Sequence, residues 1–225
     1  TVTYRCPKAV VALAASLVGD FEAHPSAPEG VVRTIKTSEM IEQVAAGDFI
    51  LSRKNAPLVT HCLALLRLGR KAMVRGRDIG KGLAAIVKKV AGKRITTIDA
   101  FLDKLSKWQY KEVARLVKKG DADKADAARD SAECIVAVST GLFSVAELLA
   151  RLESLFSDFT ANDAVILSSI HKAKGLEANR VFLLTDTLYM KRGDPLEEEN
   201  LHYVAITRAK RELVLVVAPK ERGGR

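Results

Sequence analysis

Residues 171–177 read His-Lys-Ala-Lys-Gly-Leu-Glu, an imidazole, two ammonium groups, a glycine and a carboxylate set between the apolar runs VILSSI and RVFLL. Runs this continuous predict strands of a parallel sheet covered on both faces. The connecting loop then lies at the C-terminal edge of the sheet, where open α/β sheets bind ligands. Such a loop offers cations to a phosphate and a carboxylate to a hydroxyl; the plainer reading is a solvated loop whose lysines keep it soluble.

A second cluster follows in EEENLHYVAITRAKREL, residues 197–213. Its helical spacing turns Leu201, Val204 and Ala205 inward and brings Thr207 and Arg208 out at the end, just before a last strand, LVLVVA. A guanidinium held there is always protonated and donates in pairs, which suits the charge on a transferring phosphoryl group. As a lone feature it is equally a surface contact or a partner of the helix dipole. Tyr4-Arg5, at the end of a short extended segment before a helix opened by Pro7, places a second cation early in the chain.

The elements that must hold these groups form three textures. Residues 1–78 alternate helical and strand patterns: the PKAVVALAASLVGDF helix, the VVRTIK and GDFILSR strands, a helix from Asn55 and Pro57 to Gly69, and the KAMVRG strand. Residues 79–160 lose the β-branched runs and show helical period throughout, and residues 161–225 return to strands with EEENLHYVAITRAKR as helix. A sheet interrupted and resumed implies an α/β core, a parallel sheet flanked by helices, carrying a small all-helical inserted subdomain. The tail KERGGR is expected to fray.

Composition narrows the function. Lys and Arg number 36 against 27 Asp and Glu, a net charge of +9, which points to an anionic partner. Nine cations between Arg70 and Arg94 face only Asp78, a stripe able to track phosphates, or else a solvated basic face. Trp108 and Tyr110 read as core aromatics before stacking platforms. Cys6, Cys62 and Cys134 are too few and too scattered for a disulfide framework or a thiolate zinc site, and read as small buried hydrophobes. His24, His61, His171 and His202 have no metal-ligand spacing, so no metal site is expected. Ser168 and Ser169 lack a nucleophile elbow, and Glu197–Glu199 reads as charge at a helix start. No apolar stretch is long enough to span a bilayer. A phosphate loop is missing too: GRDIGKG, residues 76–82, is one residue short and carries Gly82 where a hydroxyl is required.

Taken in order, YRCP, SSIHKAKGLEANRVFLL and EEENLHYVAITRAKREL resemble the fourth, fifth and sixth motifs of the UvrD/Rep-type superfamily one DNA helicases, over residues 1 to about 76 and 160 to 218. The resemblance implies a second RecA-like domain, residues 1–78 and 161–225, with a reduced 2B-like insertion over residues 79–160. It implies Arg5 and Arg208 at the γ-phosphate of ATP, Glu177 at the nucleotide ribose, Gly175 where backbone passes close to ligand, and Ser169, His171, Lys172 and Lys174 at single-stranded DNA. Ser169 stands where the family has threonine and keeps the hydroxyl. ATP with magnesium would be completed by an N-terminal RecA-like domain outside this chain, whose abrupt start fits a fragment of a longer helicase; alone, the chain is expected to be inactive. The expected activity is that of an ATP-dependent 3′–5′ helicase or translocase acting on single-stranded DNA or a single/double-strand junction. A bacterial or phage-encoded cytoplasmic protein with no membrane contact is implied. The alternatives are a non-catalytic nucleic-acid-binding or interaction module on the same fold, and the helicase-like half of a combined helicase and nuclease.

Overall fold

The computed structural model describes residues 2–157, 163–188 and 195–218; the tail KERGGR lies outside them. In chain order the elements are β1 (Val2–Thr3), α1 (Lys8–Val18), β2 (Glu22–Ala23), β3 (Val31–Lys36), α2 (Thr37–Gln43), β4 (Phe49–Ser52), α3 (Asn55–Arg67), β5 (Ala72–Arg75), α4 (Arg77–Ala91), α5 (Ile98–Lys118), α6 (Ala122–Ser139), α7 (Val145–Leu155), β6 (Phe156–Ser157), β7 (Val165–Ser169), β8 (Ala178–Leu184), a 3₁₀ turn (Thr185–Thr187), α8 (Pro195–Ile206) and β9 (Ala209–Val217). This is the mixed α/β chain with a parallel sheet that the apolar runs predict.

Two compact units are present: Thr1–Arg53, Gly69–Ala72 and Ala161–Arg225 form the first, Lys54–Leu68 and Met73–Thr160 the second. This division and the sequence boundaries at 78 and 160 differ, since α3 and most of β5 group with the helices.

In the first unit five strands of the sheet run β3-β9-β8-β4-β7. The pairs β3–β9, β8–β9, β4–β8 and β4–β7 are parallel. Every residue of β4 and β7 is buried, as expected of strands covered on both faces. Over one face lie Val10, Val11 and Ala14 of α1 and Leu201, Ala205 and Ile206 of α8, packed on Phe49, Leu51, Ile166, Val181 and Leu183. At the N-terminal end of the strands Arg180 binds Asp48 at 2.6 Å and the Gln43 carbonyl at 3.0 Å.

Three local expectations are corrected here. Helix α8 stops at Ile206, five residues before the end of TRAKR, because the Thr207 hydroxyl turns back to the Tyr203 and Val204 carbonyls, and Ala209 already pairs with Ala178. Arg70 is no part of a phosphate-tracking stripe: its guanidinium caps the end of α2 through the Ile41, Glu42 and Val44 carbonyls. Lys71 is paired with Asp163.

The second unit packs α5 on α6, α3 on α6 and α4 on α7 around Phe101, Leu105, Ile135, Leu148 and Leu152. Ser144 and Glu147 open α7 with a capping box. Helix α3 gets its cap from elsewhere. Asn55 is its first residue rather than its cap, and the Asp130 carboxylate of α6 accepts from the Asn55 and Ala56 amides at 2.9 Å each. A carboxylate here satisfies two orphan N–H groups at the positive end of the helix dipole. Tyr110 is 79% exposed, against the reading of it as core. All three cysteines are buried free thiols, as expected.

Candidate functional site

The HKAKGLE segment does not sit at one edge of the sheet, as the sequence predicts; it connects two. Phe49 of β4 pairs with Ile166 of β7 on one side and Val181 of β8 on the other, and Ser52 pairs with Ser169. By that register Ser169 lies at the C-terminal edge, while Ala178 lies three residues below Val181 at the N-terminal edge. The offset is six residues, about 20 Å along the strands at ~3.3 Å per residue.

Ile170–Glu177 therefore crosses one face of the sheet. Its composition explains how: Ile170 and Ala173 are fully buried and Leu176 packs beside them, a spacing of three that anchors one side of the turns to the core. His171, Lys172 and Lys174 are left exposed on the other side. Gly175 has φ +84°, a conformation other residues rarely adopt, and the space beyond it is open.

At the N-terminal edge three sequence-selected residues converge. Glu177 accepts an ion pair from Arg5 at 2.7 Å, and Lys210 approaches its other oxygen at 3.5 Å. Arg208, only 8% exposed, donates to the Val204 carbonyl at 2.8 Å, the Leu176 carbonyl at 3.3 Å and the Thr207 hydroxyl at 3.1 Å. Its own carbonyl accepts the Ala178 amide, locking the turn before β9 to the start of β8. Burial, and then the field of Arg5, lower the Arg208 pKa from its usual value, with Glu177 opposing. A guanidinium keeps its proton regardless. Two cations thus share one carboxylate, with Arg208 in its field, a surplus of positive charge that an entering anion relieves. Arg5 itself is half exposed, so its donors are accessible.

At the C-terminal edge the arrangement differs. Ser169 is 6% exposed beneath the loop. His171 Nε2 lies 3.9 Å from Glu197 of α8. Arg53, directly after β4, pairs with Glu198 at 3.0 Å, and its amide donates to the Thr187 hydroxyl at 3.0 Å. Partial burial, and secondarily Arg53, push the His171 pKa below its usual value, against the pull of Glu197 and Glu198. The balance favours the neutral ring. The acidic start of α8 therefore does more than complement a dipole: it positions Arg53 and His171.

Helix α8 joins the same two edges, with Glu197 and Glu198 at one end and Thr207-Arg208 just past the other. Twelve residues at ~1.5 Å each give about 18 Å, matching the loop's span.

Sequence reasoning missed Arg53 and Lys210. Arg53 follows a buried strand as the heptapeptide does, and Lys210 stands two residues beyond Arg208 at a strand start, so the signal existed in both cases. The donor set at the N-terminal edge, cations around a hydrogen-bonding carboxylate, fits a nucleoside triphosphate. Among the described residues no group of three or more His, Cys, Asp or Glu side chains is gathered to hold a metal ion, and no helix is long and apolar enough to cross a membrane.

No curated protein matches the chain. Among solved structures, the C-terminal domain of a possible DNA helicase from Lactobacillus plantarum WCFS1 is similar over 96% of this chain and 88% of that one, at 14% identity and a TM-score of 0.42, too loose a likeness to bear on function. The family model of the UvrD-like helicase C-terminal domain matches residues 61–220, which include the crossing loop, α8 and Arg208. Its RecA-like parallel sheet and its motifs agree: the chain belongs to the UvrD-like helicase C-terminal domain family.

Proposed function

We propose that this chain is the C-terminal motor half of an ATP-dependent 3′–5′ DNA helicase or translocase, with the polarity taken from the family. The observation that carries the reading is the convergence of Arg5, Glu177 and Arg208 at one edge of the sheet, joined by a single loop to His171, Lys172 and Lys174 near the other.

ATP with magnesium, bound mainly by an N-terminal RecA-like domain, supplies the phosphoanhydride bond whose hydrolysis drives each step. What this chain contributes is charge in a fixed place. Arg208 is held by the Val204 and Leu176 carbonyls, so it meets developing negative charge without reorganising. Arg5, held by its ion pair with Glu177, exchanges that partner for an anion. Glu177, released from Arg5, accepts a ribose hydroxyl. Because Ile170 and Ala173 anchor the loop in the core, a shift at Glu177 passes to His171, Lys172 and Lys174 at the single strand, and Ser169 supports the loop from below. The helical unit serves as a reduced 2B-like insertion.

The test is ATP hydrolysis by this chain joined to its upstream region, with and without single-stranded DNA, for the native sequence and Arg208→Ala. DNA-stimulated turnover that disappears with the substitution supports a shared site completed by this half. Turnover that survives, or that never arises, moves the assignment to a binding module. The chain alone is expected to show no turnover.

A further inference from the structure

The helical unit contains a cleft of about 840 Å3 between α4 and α7. One wall carries Arg77, Lys81 and Lys88 of α4; across from them stand Leu149 and Glu153 of α7, with Phe156 at the end of the helix. The cations recur at i, i+4 and i+11, so they share one helix face, spread over about 16 Å at ~1.5 Å per residue. Like charges one turn apart repel. All three are exposed, and among the described residues neither Lys81 nor Lys88 forms an ion pair. Glu153 is the one acid that lines the cleft among the described residues. The floor is apolar and close-packed: a Cβ at Gly80 would come within 2.7 Å of the Phe156 Cβ.

We propose that this cleft binds a single strand of nucleic acid, the α4 cations meeting successive phosphates while sugar and base faces rest on Ala84, Leu149 and Ala150. A line of three cations against one acid matches a polyanion better than a single charged group. The volume falls within the range of ligand clefts. An apolar floor accepts the faces of unpaired nucleotides. The site belongs to the helical unit and is independent of the loop at residues 170–177.

The experiment measures binding of a fluorescent single-stranded oligodeoxynucleotide to the full 225-residue chain over a range of salt. The variants are Lys81→Glu/Lys88→Glu and, for the same charge change outside the cleft, Lys104→Glu/Lys107→Glu. Losing two phosphate contacts should flatten the salt dependence of log K by about 1.4 at ~0.7 per contact. The control pair should leave the slope nearer the native value, and both variants should keep the native Tm. A second readout attaches a photoreactive maleimide at Ala84→Cys. All three native thiols are buried, and burial pushes Cys62 up to about 12 and Cys134 upward as well, so labelling is directed to the new thiol. Crosslinks to the oligonucleotide that vanish in the Lys81/Lys88 variant support the site. An unchanged slope, an equal loss in the control pair, tighter binding of duplex, or displacement by polyglutamate at equal charge would each overturn it, the last reassigning the cleft to an acidic protein. His171→Gln/Lys174→Gln tests the loop separately, so failure of either site leaves the other standing.

Discussion

The two edges of the sheet hold similar residue types in opposite states. At the N-terminal edge, Arg208 is buried and fastened to carbonyls, and Glu177 is held by Arg5 and Lys210. From the C-terminal edge out over the face of the sheet, His171, Lys172 and Lys174 are exposed, with Arg53 and Glu198 paired at that edge. On the proposed function, the difference follows from what each edge would do. A group that stabilises charge developing in a reaction gains from being fixed beforehand, whereas groups that grip and release a strand gain from being accessible and screened by salt. One loop and one helix, spanning about 20 Å and about 18 Å, join the two edges.

The sharpest way to break this comparison is to empty the fixed edge. In the chain joined to its upstream region, Arg208→Ala should lower DNA-stimulated ATP turnover by about 10³-fold or more, the scale on which an arginine finger acts. Arg208→Lys should rescue little, since an ammonium cannot reproduce the planar set of donors to Val204, Leu176 and Thr207. Single-strand binding should remain within a few-fold of native in both. A loss of binding comparable to the loss of turnover would mean that the edges are one site.

Much of this was legible in the residues, and what was not has physical causes. The parallel sheet was readable because β4, β7 and β8 are continuous apolar runs, and the clusters because chemistry-bearing residues interrupt such runs. The division of HKAKGLE between edges was not readable: a loop between parallel strands that flank a third must cross the sheet, but β4, the strand between them, is more than a hundred residues earlier in sequence. The Asp130 cap on α3 was hidden for the same reason, its donors lying 75 residues away. Tyr110 misled because helical spacing marks a face without saying whether anything covers it.

A second test strains the link between the edges. Ile170 is fully buried at the start of the crossing loop, so Ile170→Ala removes an anchor and leaves a cavity, costing about 2–5 kcal/mol. Urea unfolding checks the magnitude. In the joined chain the ratio of turnover with DNA to turnover without it should fall towards one, even under conditions where the variant is fully folded. A preserved ratio would remove the loop from the coupling.

A milder change separates the two jobs of Glu177. Glu177→Gln leaves Arg5 and Lys210 without their shared carboxylate, which favours phosphate, and weakens the acceptor offered to a ribose. The KM for ATP should rise about tenfold, the worth of one charge-assisted hydrogen bond. Inhibition by tripolyphosphate, which has no ribose, should not weaken. Parallel weakening of both would assign Glu177 to arranging the arginines alone.

The smallest expected effect is a pH dependence confined to the open edge. Burial and Arg53 hold the His171 pKa below 6.5 in the free protein. The folded state therefore binds fewer protons than the unfolded chain, and this residue's contribution to stability declines as pH falls through 6.5. A phosphate beside the ring favours the imidazolium and raises the pKa in the complex, so binding takes up a proton. Single-strand affinity should then rise a few-fold between about pH 7.5 and pH 5.5, while folding stability moves the other way. His61 and His202 are also lowered, by burial alone, so they share the stability trend without an anion to reverse it. The quantity that decides is the difference between native protein and His171→Gln in a pH series of binding isotherms: the acid-side gain should vanish with the imidazole. A gain that persists in the variant would place the titrating group elsewhere and leave His171 as a positioning residue for Glu197.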